Sequence, residues 1–200
     1  MSEPYVHPSA IVESTDIGKG TRVWAFSHVL SGARVGDNCN IGDHGFIEGG
    51  AVVGNNVTLK NHVCLWEGVT LEDDIFVGPY VAFTNDRQPR SPRMPEVRER
   101  YVDKDNWLAK TVVENGVTIG ANATIICGVR IGRYSFIAAG AIVTADVEPF
   151  SLMVGVPARK RGYVCRCGQK LGESFPADGC DQCDAPIEFF QRELALQERS

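Results

Sequence analysis

The stretch "VVGNNVTLKNHVCLWEGVTLEDDIFVGPYVAFTNDRQPRSP", Val52 to Pro92, counts in sixes and then stops. Val53, Leu59, Leu65, Leu71, Val77 and Phe83 recur at every sixth place, and a run rich in Arg and Pro follows. Extending the register backwards adds Ile11, Ile17, Val23, Val29, Val35, Ile41 and Ile47, which makes 13 apolar positions in one phase. The chain is 44% hydrophobic. With six possible phases, chance gives such a run about once in ten thousand. The beat returns at Val113, Ile119, Ile125, Ile131, Ile137 and Val143. Gly often follows the aliphatic, as at Gly18, Gly36, Gly42, Gly54 and Gly78, and a small or β-branched residue such as Thr21, Ser27, Ala33, Cys39 or Ala51 comes four places after it.

A helix needs apolar residues at threes and fours, and a half-buried strand needs them at twos. A period of six means a short strand and a turn, repeated: a parallel β-helix of hexapeptide repeats. Three strands close one triangular coil, so residues 18 apart stack at a sheet spacing of about 4.8 Å. The aliphatic points into the prism, the small residue lets the chain round the corner, and glycine is expected to supply a permissive backbone there.

A net charge of −5, with acids and bases mixed, gives no nucleic-acid footprint. The opening "MSEPYVHPSA" has no apolar signal region and no later run suits a bilayer, so a soluble cytoplasmic protein that does not enter the membrane is expected. Of seven cysteines, Cys165, Cys167, Cys180 and Cys183 crowd near the end as "CRC" and "CDQC". In a chain without a secretion signal, such pairs suit a tetrahedral structural zinc better than disulfides. Gly168 follows the first pair as a knuckle turn prefers, whereas Asp184 follows the second. The expected organisation is therefore a prism over 1–162, a zinc knuckle over 163–186 and a short amphipathic helix over 187–200.

The register breaks over residues 84–112, "TNDRQPRSPRMPEVRERYVDKDNWLAKTV". A loop this long is either a solvated excursion or functional. It leaves the coil at one edge, and its opening "TNDRQPRS" is not low in complexity, which favours function. Stepping back 18 residues puts Glu67 beneath Asn85, and Trp66 then Glu48 beneath Thr84. A second column stacks Phe26, His44, His62 and Tyr80.

The segments "WEGVTLEDDIFVGPYVAFTNDRQPRS", "IGANATIICGVRIG" and the closing "VGVPARKRG" resemble the hexapeptide-repeat acyltransferases over nearly all of residues 5–162. That resemblance implies a left-handed helix, a homotrimer, and acetyl-CoA in the groove between neighbouring prisms. The "FTNDRQPRS" run and the tail "GYVCRCGQKL" look more closely like the nucleotide-sugar 3-N-acetyltransferases. The substrate expected first is a UDP-linked 2-acetamido-3-amino-2,3-dideoxy-glucuronate, on the path to surface polysaccharide (lipopolysaccharide O-antigen). A dTDP-3-amino-3,6-dideoxyhexose is the alternative.

By that resemblance Asn85 sits beside the reacting amine, and the loop reaches an adjacent subunit. Glu48, Lys60, His62, Trp66, Glu67, Arg87 and Arg90 are the substrate-side candidates, the two arginines as bidentate donors to phosphate or carboxylate. Backbone amides around Ala139 and Gly140 are expected to hold the pantetheine arm, with Arg159, Lys160 and Arg161 near the CoA phosphates. His28, His44 and His62 are rival bases. Two other classes compete: a γ-type carbonic anhydrase, which shares the prism but needs a third histidine, and a non-catalytic trimeric scaffold.

Overall fold

The computed structural model describes residues 2–175 and 178–197. The chain winds into a triangular prism whose faces belong to sheets of ten, seven and five strands, parallel throughout the coils. Most strands are only two residues long, because each face must end where the next corner begins. Within the prism the register is the expected one: Arg22 pairs with Asn40, Asn40 with Thr58, and Thr58 with Phe76. One residue of each pair points inward, and Val23, Ile41, Leu59, Val77, Ile119 and Ile137 are all fully buried. Thr21, Ser27, Ala33, Cys39 and Ala51, the small residues of the period, are buried too. Two hydroxyls in that position are satisfied by the coil above: Thr21 Oγ1 donates to the Gly36 carbonyl at 2.7 Å, and Ser27 Oγ to that of Gly42 at 2.8 Å.

Two details of the sequence reading change. The first coil is one residue short, since Ile11 pairs with His28 and Val12 with Val29. Ile11 is consequently 57% exposed and Val12 takes the inward place, because a one-residue slip reverses every side chain on a strand. The glycines after the aliphatics are not there for an unusual backbone. A side chain on Gly36 would lie 2.6 Å from the Gly54 carbonyl oxygen, and one on Gly78 would lie 2.6 Å from the Ala121 nitrogen. They allow close approach of successive coils. The left-handed backbone falls two places later, at Asn38 and Asn56 on one corner and at His44, His62 and Tyr80 on another, with φ between 56° and 62°.

The loop is an enlarged corner between the seven- and five-stranded faces, leaving after Ala82–Phe83 and returning at Thr111–Val113. Phe76 pairs with Thr58 below it, 18 residues away, and with Thr118 above it, 42 residues away. The 24 extra residues, 42 less 18, are a multiple of six, so the beat resumes in phase.

At the far end the geometry changes. Ser151–Val154 extends the ten-stranded face, then Arg159–Val164 and Lys170–Gly172 add to it antiparallel. The expected boundary at residue 162 falls inside the strand Arg159–Val164, which hydrogen-bonds on both sides. A separate core of Phe150, Phe189 and Phe190, with Phe175 and Tyr134 against it, seats the closing helix Ile187–Gln197 on the last coil. The expected helix end at 198–200 lies outside the described residues. No helix among the described residues is long and apolar enough to cross a membrane.

Candidate active site

The loop root is built by stacking. Glu48 on one coil accepts the Glu67 backbone N–H of the next at 2.8 Å, and Asn85 Nδ2 above donates to the Glu67 carbonyl at 3.4 Å. That contact uses one of the two N–H donors of the Asn85 amide and orients the group, whose Oδ1 is an acceptor. The Asn85 backbone carbonyl is itself held by the Ala109 N–H at 2.9 Å, and Asp86 pairs antiparallel with Leu108, so the loop is pinched shut where it leaves the prism. Beneath it, Trp66 donates its indole N–H to the Phe83 carbonyl at 2.8 Å. Beside it, Thr84 Oγ1 accepts from Cys127 N at 2.9 Å. Glu48, Trp66, Glu67 and Asn85 therefore form one group.

The loop itself folds as two short 3-10 turns, Pro95–Tyr101 and Lys104–Asn106, tied by contacts that stacking arithmetic cannot reach. Tyr101 donates to Asp86 at 2.7 Å, with Arg100 beside both, and Lys104 reaches back 2.7 Å to the Glu67 carboxylate. The only sequence hint to them is the polar, aromatic run "RERYVDK". Arg87 lies across the next coil with its guanidinium 2.9 Å from the Gly128 carbonyl, and Gly128, at φ 77°, has the left-handed backbone that favours glycine. Arg90 stays on the exposed loop, its backbone N–H bonded to Tyr101. Arg87, Arg90 and Arg100 line a cleft of about 430 Å³. An adjoining hollow of about 360 Å³ is lined partly by Arg100 and Trp107. The buried Arg100 Nε and the Trp107 indole N–H have no protein partner.

Lys60 and His62 belong elsewhere. They lie on the corner between the ten- and seven-stranded faces, and within one chain the strand Cys64–Leu65 separates them from Glu67 and Asn85. Four residues of extended chain from His62 to Trp66 amount to roughly 13 Å. On that corner Phe26, His44, His62 and Tyr80 stack with ring centroids 5.1, 4.8 and 4.6 Å apart. All four rest in the left-handed backbone region, an uncommon place for such bulky side chains. The same corner ends at Gly140, which donates its N–H to the Ala121 carbonyl and where a side chain would meet nothing within 4 Å. Gly140 thus leaves an open spot beside exposed Ala139, and its own amide is already committed. His28 pairs with Glu13 at 3.0 Å on the outer surface, away from the loop.

The three expected CoA cations differ. Lys160 is tied to Glu148 at 2.7 Å and lies 3.9 Å over the Tyr163 ring. Burial opposes its charge, but Glu148 and Tyr163 outweigh burial and raise its pKa. Arg159 and Arg161 are exposed on one side of their strand. Burial pushes the Cys39 and Cys64 thiols up, away from nucleophilic thiolates.

Residues 14–49 and 110–145 match the family described as "Bacterial transferase hexapeptide (six repeats)". The chain is 48% identical over 167 residues to the dTDP-3-amino-3,6-dideoxy-alpha-D-galactopyranose 3-N-acetyltransferase of Aneurinibacillus thermoaerophilus, covering 84% of this chain and 82% of that protein. The chain belongs to the hexapeptide-repeat transferase family. As a member it is an enzyme of acyl transfer, and its prism is the left-handed parallel β-helix of that family. A shorter match, 54% over 48 residues, covers 24% of this transferase and 20% of the 2,3,4,5-tetrahydropyridine-2,6-dicarboxylate N-acetyltransferase of Brevibacillus brevis. Among solved structures, the acetyltransferase domain of PglB from Neisseria gonorrhoeae in complex with acetyl coenzyme A aligns with a TM-score of 0.49 and 16% identity. That alignment covers 79% of this transferase and 57% of that chain.

The transferase also carries a donor set for a metal. The sulfurs of Cys165, Cys167, Cys180 and Cys183 all lie within 4.8 Å of one another, and this is the only group of three or more candidate ligands among the described residues. Cys165 and Cys183 are 3.5 Å apart, and Cys167 and Cys180 3.7 Å. A regular tetrahedron with metal–sulfur bonds of about 2.3 Å has edges of about 3.8 Å, so the set fits zinc. Each cysteine pair lies in a tight hairpin, with Cys165 N–H bonded to the Gln169 carbonyl and Cys180 N–H to that of Ala185, both at 2.8 Å, and the first pair adds a turn bond from Gly168 N–H to the Cys165 carbonyl at 2.8 Å. Asp184 adopts φ 53° and does the work expected of a glycine there.

Proposed function

We propose that this enzyme moves an acetyl group from acetyl-CoA to the 3-amino group of a nucleotide-linked 3-amino sugar. The class of sugar best supported is a dTDP-3-amino-3,6-dideoxyhexose. The uronate on UDP is the weaker reading, because the relative matched at 48% identity over most of both chains acts on the dTDP-linked hexose. The observation that carries the reading at the residue level is Asn85, pinned through its nitrogen to Glu67 so that its oxygen can accept from an amine.

The sugar amine attacks the thioester carbonyl, the new C–N bond forms as the C–S bond breaks, and the amine proton leaves with the thiolate or to water. A neutral amine needs orientation more than a strong base, and Asn cannot take the proton at neutral pH. Arg87, Arg90 and Arg100, which line one cleft, offer charge and hydrogen bonds suited to a diphosphate. Glu48, Trp66 and Glu67 hold the loop root, and Lys104 fixes Glu67. Arg159 and Arg161 are assigned to the CoA phosphates, Lys160 to supporting their strand, and the open Ala139–Gly140 corner to the pantetheine arm.

In this reading the enzyme is a homotrimer, and Lys60 and His62, on a different corner from Asn85 within one chain, reach the site only from a neighbour's prism. Residues 1–162, with the loop, form the catalytic body in this reading. The four cysteines hold a structural zinc with no open position for chemistry. Thiol release from acetyl-CoA across a panel of dTDP- and UDP-linked 3-amino sugars tests the assignment. Turnover with the dTDP-hexose well above that with the UDP-uronate is expected; the reverse order restores the uronate, and no release with either removes the activity.

A further inference from the structure

The strand Arg159–Val164 runs from the cations directly into Cys165, the first sulfur of the cluster. On the prism side it is held by the antiparallel partner Ser151–Val154, by the pair Lys160–Glu148, and by a bond from Val164 N–H to the Phe150 carbonyl at 2.7 Å. Everything beyond it is a small assembly. Phe150 is clasped by Tyr134, Phe175, Phe189 and Phe190, with ring centroids 5.2 to 5.7 Å away for the first, second and fourth of these. Among the described residues a polar rivet joins helix to prism: Arg133 reaches Glu193 at 3.1 Å while also facing the buried Glu114, which Arg130 contacts as well. An apolar cluster of this size does not outweigh the conformational entropy of the roughly thirty residues it orders. Four thiols left side by side add little, whereas a tetrathiolate metal contributes its binding free energy directly to folding.

We propose that zinc at Cys165, Cys167, Cys180 and Cys183 folds the C-terminal cap and, by fixing the far end of the strand Arg159–Val164, holds Arg159 and Arg161 in place for acetyl-CoA. The metal centre is thus a remote determinant of coenzyme affinity, acting through one strand, and takes no part in acyl transfer. The coupling to coenzyme rests on the assignment of those two arginines to CoA; the fastening role does not.

The test compares the purified full-length enzyme with the Cys180→Ser/Cys183→Ser variant, and with wild-type protein stripped by a thiol-directed mercurial and chelator and then reloaded with Zn²⁺ or Co²⁺. Expected are about one zinc per chain in the wild type, a cobalt–thiolate charge-transfer spectrum on reloading, and backbone hydrogen exchange over 159–164 and 187–197 at least about 100-fold faster without metal, with the coils over 46–83 unchanged. KM for acetyl-CoA should rise several-fold while KM for the sugar stays fixed, and Zn²⁺ should reverse both changes in the stripped protein. Metal-free protein with full protection over 159–164 overturns the fastening role. Loss of that protection with an unchanged KM for acetyl-CoA overturns the coupling to coenzyme. Neither result depends on which sugar is accepted, so an error there shows separately in the substrate panel.

Discussion

The prism and the cap bury apolar surface in opposite ways. Leu59 has Ile41 below it and Val77 above, each its counterpart one coil away, and the same holds along most of the solenoid. Phe190 has no such counterpart; it meets Phe150 and Phe175, which arrive from other parts of the chain, and its helix neighbour Phe189. A repeating core is stabilised coil by coil through nearest neighbours. A core made once from a few aromatics needs a cross-link, and the four cysteines and the Arg133 rivet are placed to give it.

The sharpest way to break the comparison is Leu59→Asp. A carboxylate in a fully buried place of a core one side chain wide has no partner and no water. The expected outcome is no soluble protein, read from expression yield and circular dichroism; a folded, soluble variant would show that coils tolerate local rupture. Next in size is Asn85→Ala, expected to lower kcat by about 100-fold or more while size-exclusion elution stays that of the wild type. Near-normal turnover would remove Asn85 from the chemistry.

Phe190→Ala should cost the cap about 3–5 kcal/mol, measured as the opening free energy of the helix Ile187–Gln197 by hydrogen exchange, with the prism's melting unaltered. Should the prism melt early too, the two cores are one cooperative unit. Lys104→Met breaks an exposed pair worth at most about 1 kcal/mol, so a change in stability too small to resolve and a rise of a few-fold in KM for the sugar are expected.

The smallest effect concerns pH. The hydrogen bond from His28 is the main cause that holds the Glu13 carboxyl below its usual range, helped by the Ser31 N–H. A depressed acid favours the folded state above its unfolded pKa, and that contribution disappears as pH falls through the lowered folded value. In His28→Gln an NMR titration should show the Glu13 midpoint moving upward, with no measurable loss of stability at neutral pH.

Much of the solenoid was legible because its rule is local and repeats: an inward aliphatic every six residues and a partner 18 away. The rule failed where a coil changed length. Ile11 fits the beat and still faces solvent, since the first coil is one residue short. The loop root was readable by the same arithmetic, which put Asn85 over Glu67. Arg100, Tyr101 and Lys104 were not, because the loop folds back on itself with no period to follow. His62, near Asn85 in sequence, proved to sit on a different corner.

The sequence alone determined the prism, its inward residues and the place where the loop leaves, because a short-range repeat leaves each coil no other way to bury its aliphatics. Only the tertiary structure decided which way Asn85 is held, that Lys160 is occupied by Glu148, and that four sulfurs converge beside the strand bearing Arg159 and Arg161. Repeat and cysteine spacing bring Asn85 over Glu67 and pair the four thiols, but hydrogen-bond direction, ion pairing and the place of the cluster beside that strand depend on contacts that no repeat specifies.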